Sequence, residues 1–87
     1  MADRALVDYD QAIKLNPKSD IAYLNRGIAY KAKGDLDRAI TDYDQAIIHN
    51  PKSFVAYTLR ALAYTAKGDP DRAAADMGMS KKLRGVR

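Results

Sequence analysis

Asp8-Tyr9-Asp10-Gln11-Ala12-Ile13 returns letter for letter as Asp42-Tyr43-Asp44-Gln45-Ala46-Ile47, 34 residues later. The same offset lays Asp3-Arg4-Ala5 on Asp37-Arg38-Ala39 and Asp71-Arg72-Ala73. It also lays Asn16-Pro17-Lys18-Ser19 on Asn50-Pro51-Lys52-Ser53, and Ala32-Lys33-Gly34-Asp35 on Ala66-Lys67-Gly68-Asp69. So many matches in one register identify an internal repeat, and a period of about 20–50 residues is the mark of stacked repeat architectures. All six tyrosines fall on three repeat positions, as Tyr9 with Tyr43, Tyr23 with Tyr57 and Tyr30 with Tyr64. Their first role is therefore architectural.

Punctuation inside each period places two helices. Asn-Pro disfavours a helical conformation before the proline, and Ser19 or Ser53 can cap the helix that follows. Such a helix is predicted over about 20–33, with its copy over about 54–67. Gly34 and Gly68 supply a left-handed residue that closes it, and Asp35 and Asp69 are good N-caps for the next. Pro70 fits, because the first helical position needs no backbone N–H. Second helices follow over about 36–49 and 70–83, matched by a segment over about 2–15. The prediction is five helices and no strands.

Apolar spacing explains why such units stack. Tyr23, Gly27 and Tyr30 form one stripe at i, i+4 and i+7, while Ile21, Leu24 and Ile28 form a second. Ala39, Tyr43, Ala46 and Ile47 line the side of the following helix that must meet the first stripe, with small residues admitting close approach around large rings. Arg4 with Asp8, Arg38 with Asp42 and Arg72 with Asp76 stand four apart and are expected to pair on outer faces, adding solubility more than stability.

With this period and punctuation, the chain strongly resembles the tetratricopeptide repeat family. The family's pattern can be read as Tyr23, Gly27, Tyr30, Gly34-Asp35, Ala39, Tyr43, Ala46 and Pro51. The next unit reads Tyr57, Ala61, Tyr64, Gly68-Asp69 and Ala73, then departs at Met77 and Ser80. The opening segment supplies Ala5, Tyr9, Ala12 and Pro17. The resemblance implies an all-α fold of antiparallel helix-turn-helix repeats stacked as a short right-handed α-solenoid, about two and a half units in one domain over 1–87. Its parts are a half repeat over 1–19 and repeats over 20–53 and 54–87. It also implies a non-catalytic scaffold that binds a protein or peptide in a concave groove lined by first helices. At those positions stand Ile21, Leu24, Asn25, Ile28, Val55, Thr58, Leu59 and Leu62. Members resembling chaperone adaptors clamp a C-terminal carboxylate there with Lys, Arg and Asn. Only Asn25 suits a clamp, so the groove is expected to prefer apolar side chains.

Composition limits the other classes. With 47% hydrophobic and 30% charged residues the chain reads as a globular domain, with no run approaching the roughly 20 apolar residues of a membrane span. The N-terminus carries no secretory signal pattern, and a cytoplasmic location is expected. The absence of cysteine removes disulfides and thiol chemistry. The net charge of +4 resides in Lys81, Lys82, Arg84 and Arg87, because eleven Lys plus Arg balance eleven Asp before them. A tail of that kind suits the negative end of a helix dipole. Nucleic-acid binding through it is the weakest of the readings, since no aromatic residue is interleaved for base stacking.

No residue pattern calls for a cofactor, a metal or a catalytic group. His49 has no second ligand or nucleophile near it in sequence. Asp8 with Asp10, and Asp42 with Asp44, are two apart on a helix and point to different sides. The second functional expectation is self-association as a homodimer. Repeat arrays bury their apolar faces against neighbours, and the candidate surfaces are Ala5, Tyr9, Ala12 and Ile13 at one end and Ala73, Ala74, Met77 and Leu83 at the other.

Overall fold

The computed structural model describes residues 2–85, so Arg87 of the basic tail lies outside the described residues. It has five α-helices: α1 (Ala2–Leu15), α2 (Asp20–Ala32), α3 (Leu36–His49), α4 (Phe54–Lys67) and α5 (Pro70–Leu83). There is no strand among the described residues.

The helix ends follow from local chemistry. Ser19 and Ser53 Oγ each accept a hydrogen bond at 3.2 Å, from the amides of Ala22 and Ala56. Asp35 and Asp69 cap α3 and α5 in the same way, accepting from the amides of Arg38 and Arg72. Each cap contributes about 1 kcal/mol. Gly34 and Gly68 adopt φ of 85° and 83°. That left-handed step turns the Asp35 and Asp69 amides back to donate to the carbonyls of Tyr30 and Tyr64, both at 2.9 Å.

Consecutive helices pack in order, α1 on α2, α2 on α3, α3 on α4 and α4 on α5. The first helices α2 and α4 also touch, whereas α1, α3 and α5 make no contact with one another among the described residues. The stack therefore curves, with α2 and α4 on its inner side. The molecule is a slab of 38 × 25 × 16 Å.

Its core is built from large rings against small residues. Ala39, Tyr43, Ala46, Ala56 and Ala63 are fully buried, with Tyr23, Leu24 and Ile40 around them. The α2–α3 approach is closest at Gly27. A Cβ there would fall 2.5 Å from Tyr43 Cε1 and 3.2 Å from the Ala39 carbonyl oxygen. In the second unit Ala61 stands in place of Gly27 and Met77 in place of Tyr43, so a flexible thioether makes room for the added methyl.

One polar atom in this core lacks a partner among the described residues. The Tyr43 hydroxyl is buried without a hydrogen bond, and burial, helped by the neighbouring Asp42 charge, pushes its pKa up to about 12. Between pH 10 and 12 the unfolded chain releases a phenolic proton that the folded chain retains, so stability should fall across that window. Tyr43→Phe should flatten this decline. It should also raise stability at neutral pH by about 1 kcal/mol, since a buried unpaired hydroxyl is removed at little cost in packing. Urea denaturation of both proteins at pH 7 and 11 measures the two effects.

Candidate functional site

Helices α2 and α4 carry large apolar side chains that stay exposed. Ile21 and Ile28 on α2, and Val55 and Leu62 on α4, each keep at least 45% of their surface exposed. They occupy two repeat-equivalent pairs, i and i+7 on each helix, so each pair lies along one face of its helix. Asn25 lies half-exposed between Ile21 and Ile28.

Three of the residues expected in the groove are placed otherwise. Leu24 points into the core and is only 8% exposed, because it packs with Ala46 and Ala56 in the central cluster. Leu59 is half-buried against the same cluster. Thr58 turns toward α5, where its Oγ1 lies 2.6 Å from Ser80 Oγ and both hydroxyls reach the Phe54 carbonyl. Thr58 and Ser80 stand where the first unit has Leu24 and Ala46. A hydrogen-bonded pair thus replaces an apolar one, and Ser80 is fully buried with its polar atom satisfied.

The residues expected at the two ends also divide. Ala5, Tyr9 and Ala12 are half-exposed on one stripe of α1. Ile13 instead packs against the core. On α5, Ala73 is buried, Met77 and Leu83 are half-buried and Ala74 is exposed. Met77 and Ala73 hold the positions that face the first helix of their own unit, which is why they are drawn inward.

The ion pairs expected at four-residue spacing do not form. Arg38 and Arg72 reach back to their helix caps, Asp35 and Asp69, at 3.5 Å. Asp42 and Asp76 are buried and pair across helices instead. Arg26 donates through Nε and Nη2 to both oxygens of Asp42, at 2.9 and 2.8 Å, and through Nη1 to Asp10 at 3.1 Å. Arg60 repeats the arrangement with Asp76, at 2.8 and 2.7 Å, and with Asp44 at 2.9 Å. The two-tined geometry fits a planar guanidinium to a carboxylate. These bonds, led by those to Asp42 and Asp76, hold both guanidinium groups charged with pKa above the ordinary arginine value. Each arginine also lies over tyrosine rings, Arg26 near Tyr23 and Tyr30, and Arg60 near Tyr57.

These ladders account for Asp42 with Asp44 and for Asp10, whereas Asp8 takes no part in them. Asp42 serves Arg26 on one side of α3 and Asp44 serves Arg60 on another. Further cross-unit pairs join Lys33 to Asp3 and Lys67 to Asp37. His49 stacks on Tyr23 with ring centroids 5.6 Å apart. The ladders were marked in the sequence by acid, arginine and acid at 16-residue intervals, at 10, 26 and 42 and again at 44, 60 and 76.

Sequence comparison matches tetratricopeptide repeat profiles in three overlapping frames, at residues 3–34 (TPR repeat), 21–53 and 42–75 (both Tetratricopeptide repeat). The chain belongs to the tetratricopeptide repeat family. This TPR chain superposes on the crystal structure of MamA with a TM-score of 0.93 at 30% identity, over 97% of its own length and 49% of that chain. It thus spans about half the length of the MamA structure. It is similar also to the second TPR of Spaghetti (RPAP3) bound to HSP90 peptide SRMEEVD, with a TM-score of 0.90 at 26% identity, over 94% of its own length and 76% of that chain. The first TPR of the same protein shares the fold at 23% identity and a TM-score of 0.93, over 99% of this chain and 68% of that one. No curated protein matches the TPR chain in sequence. No helix among its described residues is long and apolar enough to cross a membrane.

Proposed function

We propose that this TPR chain is a non-catalytic scaffold that binds a protein or peptide on the α2–α4 surface, chiefly through apolar side chains. The observation that carries this reading is the exposure of Ile21, Ile28, Val55 and Leu62 at repeat-equivalent positions of α2 and α4, two first helices that touch. Four large apolar side chains held in register by two packed helices form a patch that a folded chain gains by covering. A related TPR domain that takes an HSP90 peptide supports peptide binding as the mode. The ligand chemistry differs, because the acidic SRMEEVD calls for cationic side chains and this surface offers only Asn25 as a polar group.

Selection of peptides from a random library, followed by calorimetry, tests the reading. Bound sequences should be rich in Leu, Ile, Val or Phe, and affinity should change little between low and moderate salt. Ile28→Asp and Leu62→Asp should each weaken binding at least about tenfold, since a charge in an apolar contact is costly to desolvate. Both positions are exposed, so stability should stay within about 0.5 kcal/mol of the parent. Preferential selection of acidic C-terminal peptides would defeat the proposal. A steep loss of affinity for nucleic acid with salt, carried by Lys81, Lys82 and Arg84, would favour the polyanion reading instead.

A further inference from the structure

Successive helices run in opposite directions, so the stack has two ends of different chemistry. One end gathers the Asn-Pro turns with the last turns of α1, α3 and α5 and the first turns of α2 and α4. Contacts tie these parts together. The Tyr23 hydroxyl donates to the Pro17 carbonyl, Asn50 Nδ2 donates to Asp20 at 3.1 Å, His49 stacks on Tyr23, and Ser80 Oγ donates to the Phe54 carbonyl. The other end holds the Gly-Asp turns.

Charge is divided unequally between them. Ion pairs engage Arg26, Lys33, Arg38, Arg60, Lys67 and Arg72, which lie in the middle of the stack or at the Gly-Asp end. At the Asn-Pro end Lys14, Lys18, Lys52, Lys81, Lys82 and Arg84 are all exposed, and none forms an ion pair among the described residues. The only carboxylate in residues 12–22, 46–56 and 79–85 is Asp20, which accepts from Asn50. Large apolar side chains stand among these cations. Leu15 keeps 86% of its surface exposed and Ile48 66%, and Phe54 is exposed at the start of α4. Ile48 occupies the repeat position of Lys14 and Lys82, so along the stack an exposed isoleucine is flanked by two lysines.

We propose that the Asn-Pro end is a peripheral docking surface for an anionic lipid bilayer. Unpaired cations are drawn to a negatively charged leaflet, each adding to the attraction within a Debye length of the surface. Ammonium groups on flexible stems suit headgroup phosphates and carboxylates as point charges. Leu15, Ile48 and Phe54 supply the second requirement, apolar groups that enter the boundary between headgroups and acyl chains without spanning the bilayer. Nucleic acid fits this surface less well. Five of the six cations are lysines, the Tyr23 ring at this end is buried, and aliphatic side chains gain nothing from a phosphate backbone where stacked rings would. The surface also stands apart from Ile28 and Leu62, which lie toward the Gly-Asp end of α2 and α4.

The test is flotation of the full chain with vesicles of phosphatidylcholine, alone or with phosphatidylserine making up roughly a third of the lipid. The chain should float with the phosphatidylserine vesicles only, and less of it as salt rises. Lys52→Glu with Lys82→Glu should weaken binding by about tenfold or more. Arg4→Glu with Lys31→Glu makes an equal change of net charge at the Gly-Asp end, also at cations without ion pairs among the described residues, and should change it less than about twofold. Ile48→Ser should cost about threefold or more through lost apolar contact. Ile28→Asp, which acts on the peptide surface, should leave vesicle binding unchanged, so the two surfaces fail independently. All these side chains are exposed or half-exposed, and circular dichroism checks that each variant keeps its helices. No binding to phosphatidylserine vesicles at low salt would overturn the proposal, as would equal losses in the two charge-reversed variants or indifference to Ile48→Ser. Tighter binding of single-stranded RNA than of vesicles would overturn it in favour of a nucleic-acid surface.

Discussion

Arg26→Ala should lower the unfolding free energy by about 2–4 kcal/mol, a large share of what a domain of this size possesses. The reason lies in what remains. Asp42 keeps only 2% of its surface exposed, and removing the guanidinium leaves its carboxylate desolvated with no opposite charge. The estimate sits below the full cost of breaking a deeply buried pair because the Arg26 side chain is 23% exposed and water can partly replace it. Adding Asp42→Asn should return more than half of the loss, since an amide tolerates that position where a charge does not. Chemical denaturation of the four proteins of this cycle measures the coupling. Equal losses in Arg26→Ala with and without Asp42→Asn would show that the ladder adds nothing beyond side-chain packing.

Gly27→Ala should destabilise the chain by about 1–3 kcal/mol, the usual penalty for forcing a group into a filled core. The sign is informative, because helix propensity alone favours alanine over glycine by about 1 kcal/mol in a helix interior. The new methyl would meet the Tyr43 ring at 2.5 Å, and that ring is fully buried, with the Ala39 carbonyl closing the other side. Tyr43→Met in the same chain should recover the loss, by reproducing the Ala61 and Met77 combination of the second unit. Thermal melts of the single and double variants decide the matter. A Gly27→Ala protein more stable than its parent would mean that the Tyr43 ring can move away from α2 at little cost.

The fold was legible because its signals are local. Asn-Pro, the serine caps and Gly-Asp act within a few residues, and the structure begins and ends its helices where they stand, with α2 closing at Ala32 instead of 33. The close approach at Gly27 could also be read, since the small residue and the ring stand at matched repeat positions. What escaped the reading depends on neighbours distant in sequence. Asp8, Asp42 and Asp76 are the same letter at the same repeat position, yet the first is exposed and the others are buried. The difference is made by the helix lying over each. Pairing at four-residue spacing was likewise overridden, because Arg26 offers Asp42 a two-tined contact within the core and Arg38 has only an exposed, flexible reach. Leu24 and Ile21 are three apart and equally apolar, yet Leu24 joins the core shared with α3 and α4 while Ile21 stays exposed.

The two ladders meet on one helix. Asp42 ties α3 to α2 and Asp44 ties α3 to α4, while Ala39, Tyr43 and Ala46 are sealed from solvent. Opening α1 or α5 breaks one junction, whereas opening α3 breaks two, with α2 and with α4, together with both ladders. In hydrogen exchange this becomes a gradient along the chain. The amides of α1 and α5 should exchange through local fraying at a fraction of the global cost, and those of α3 should be the slowest of the chain.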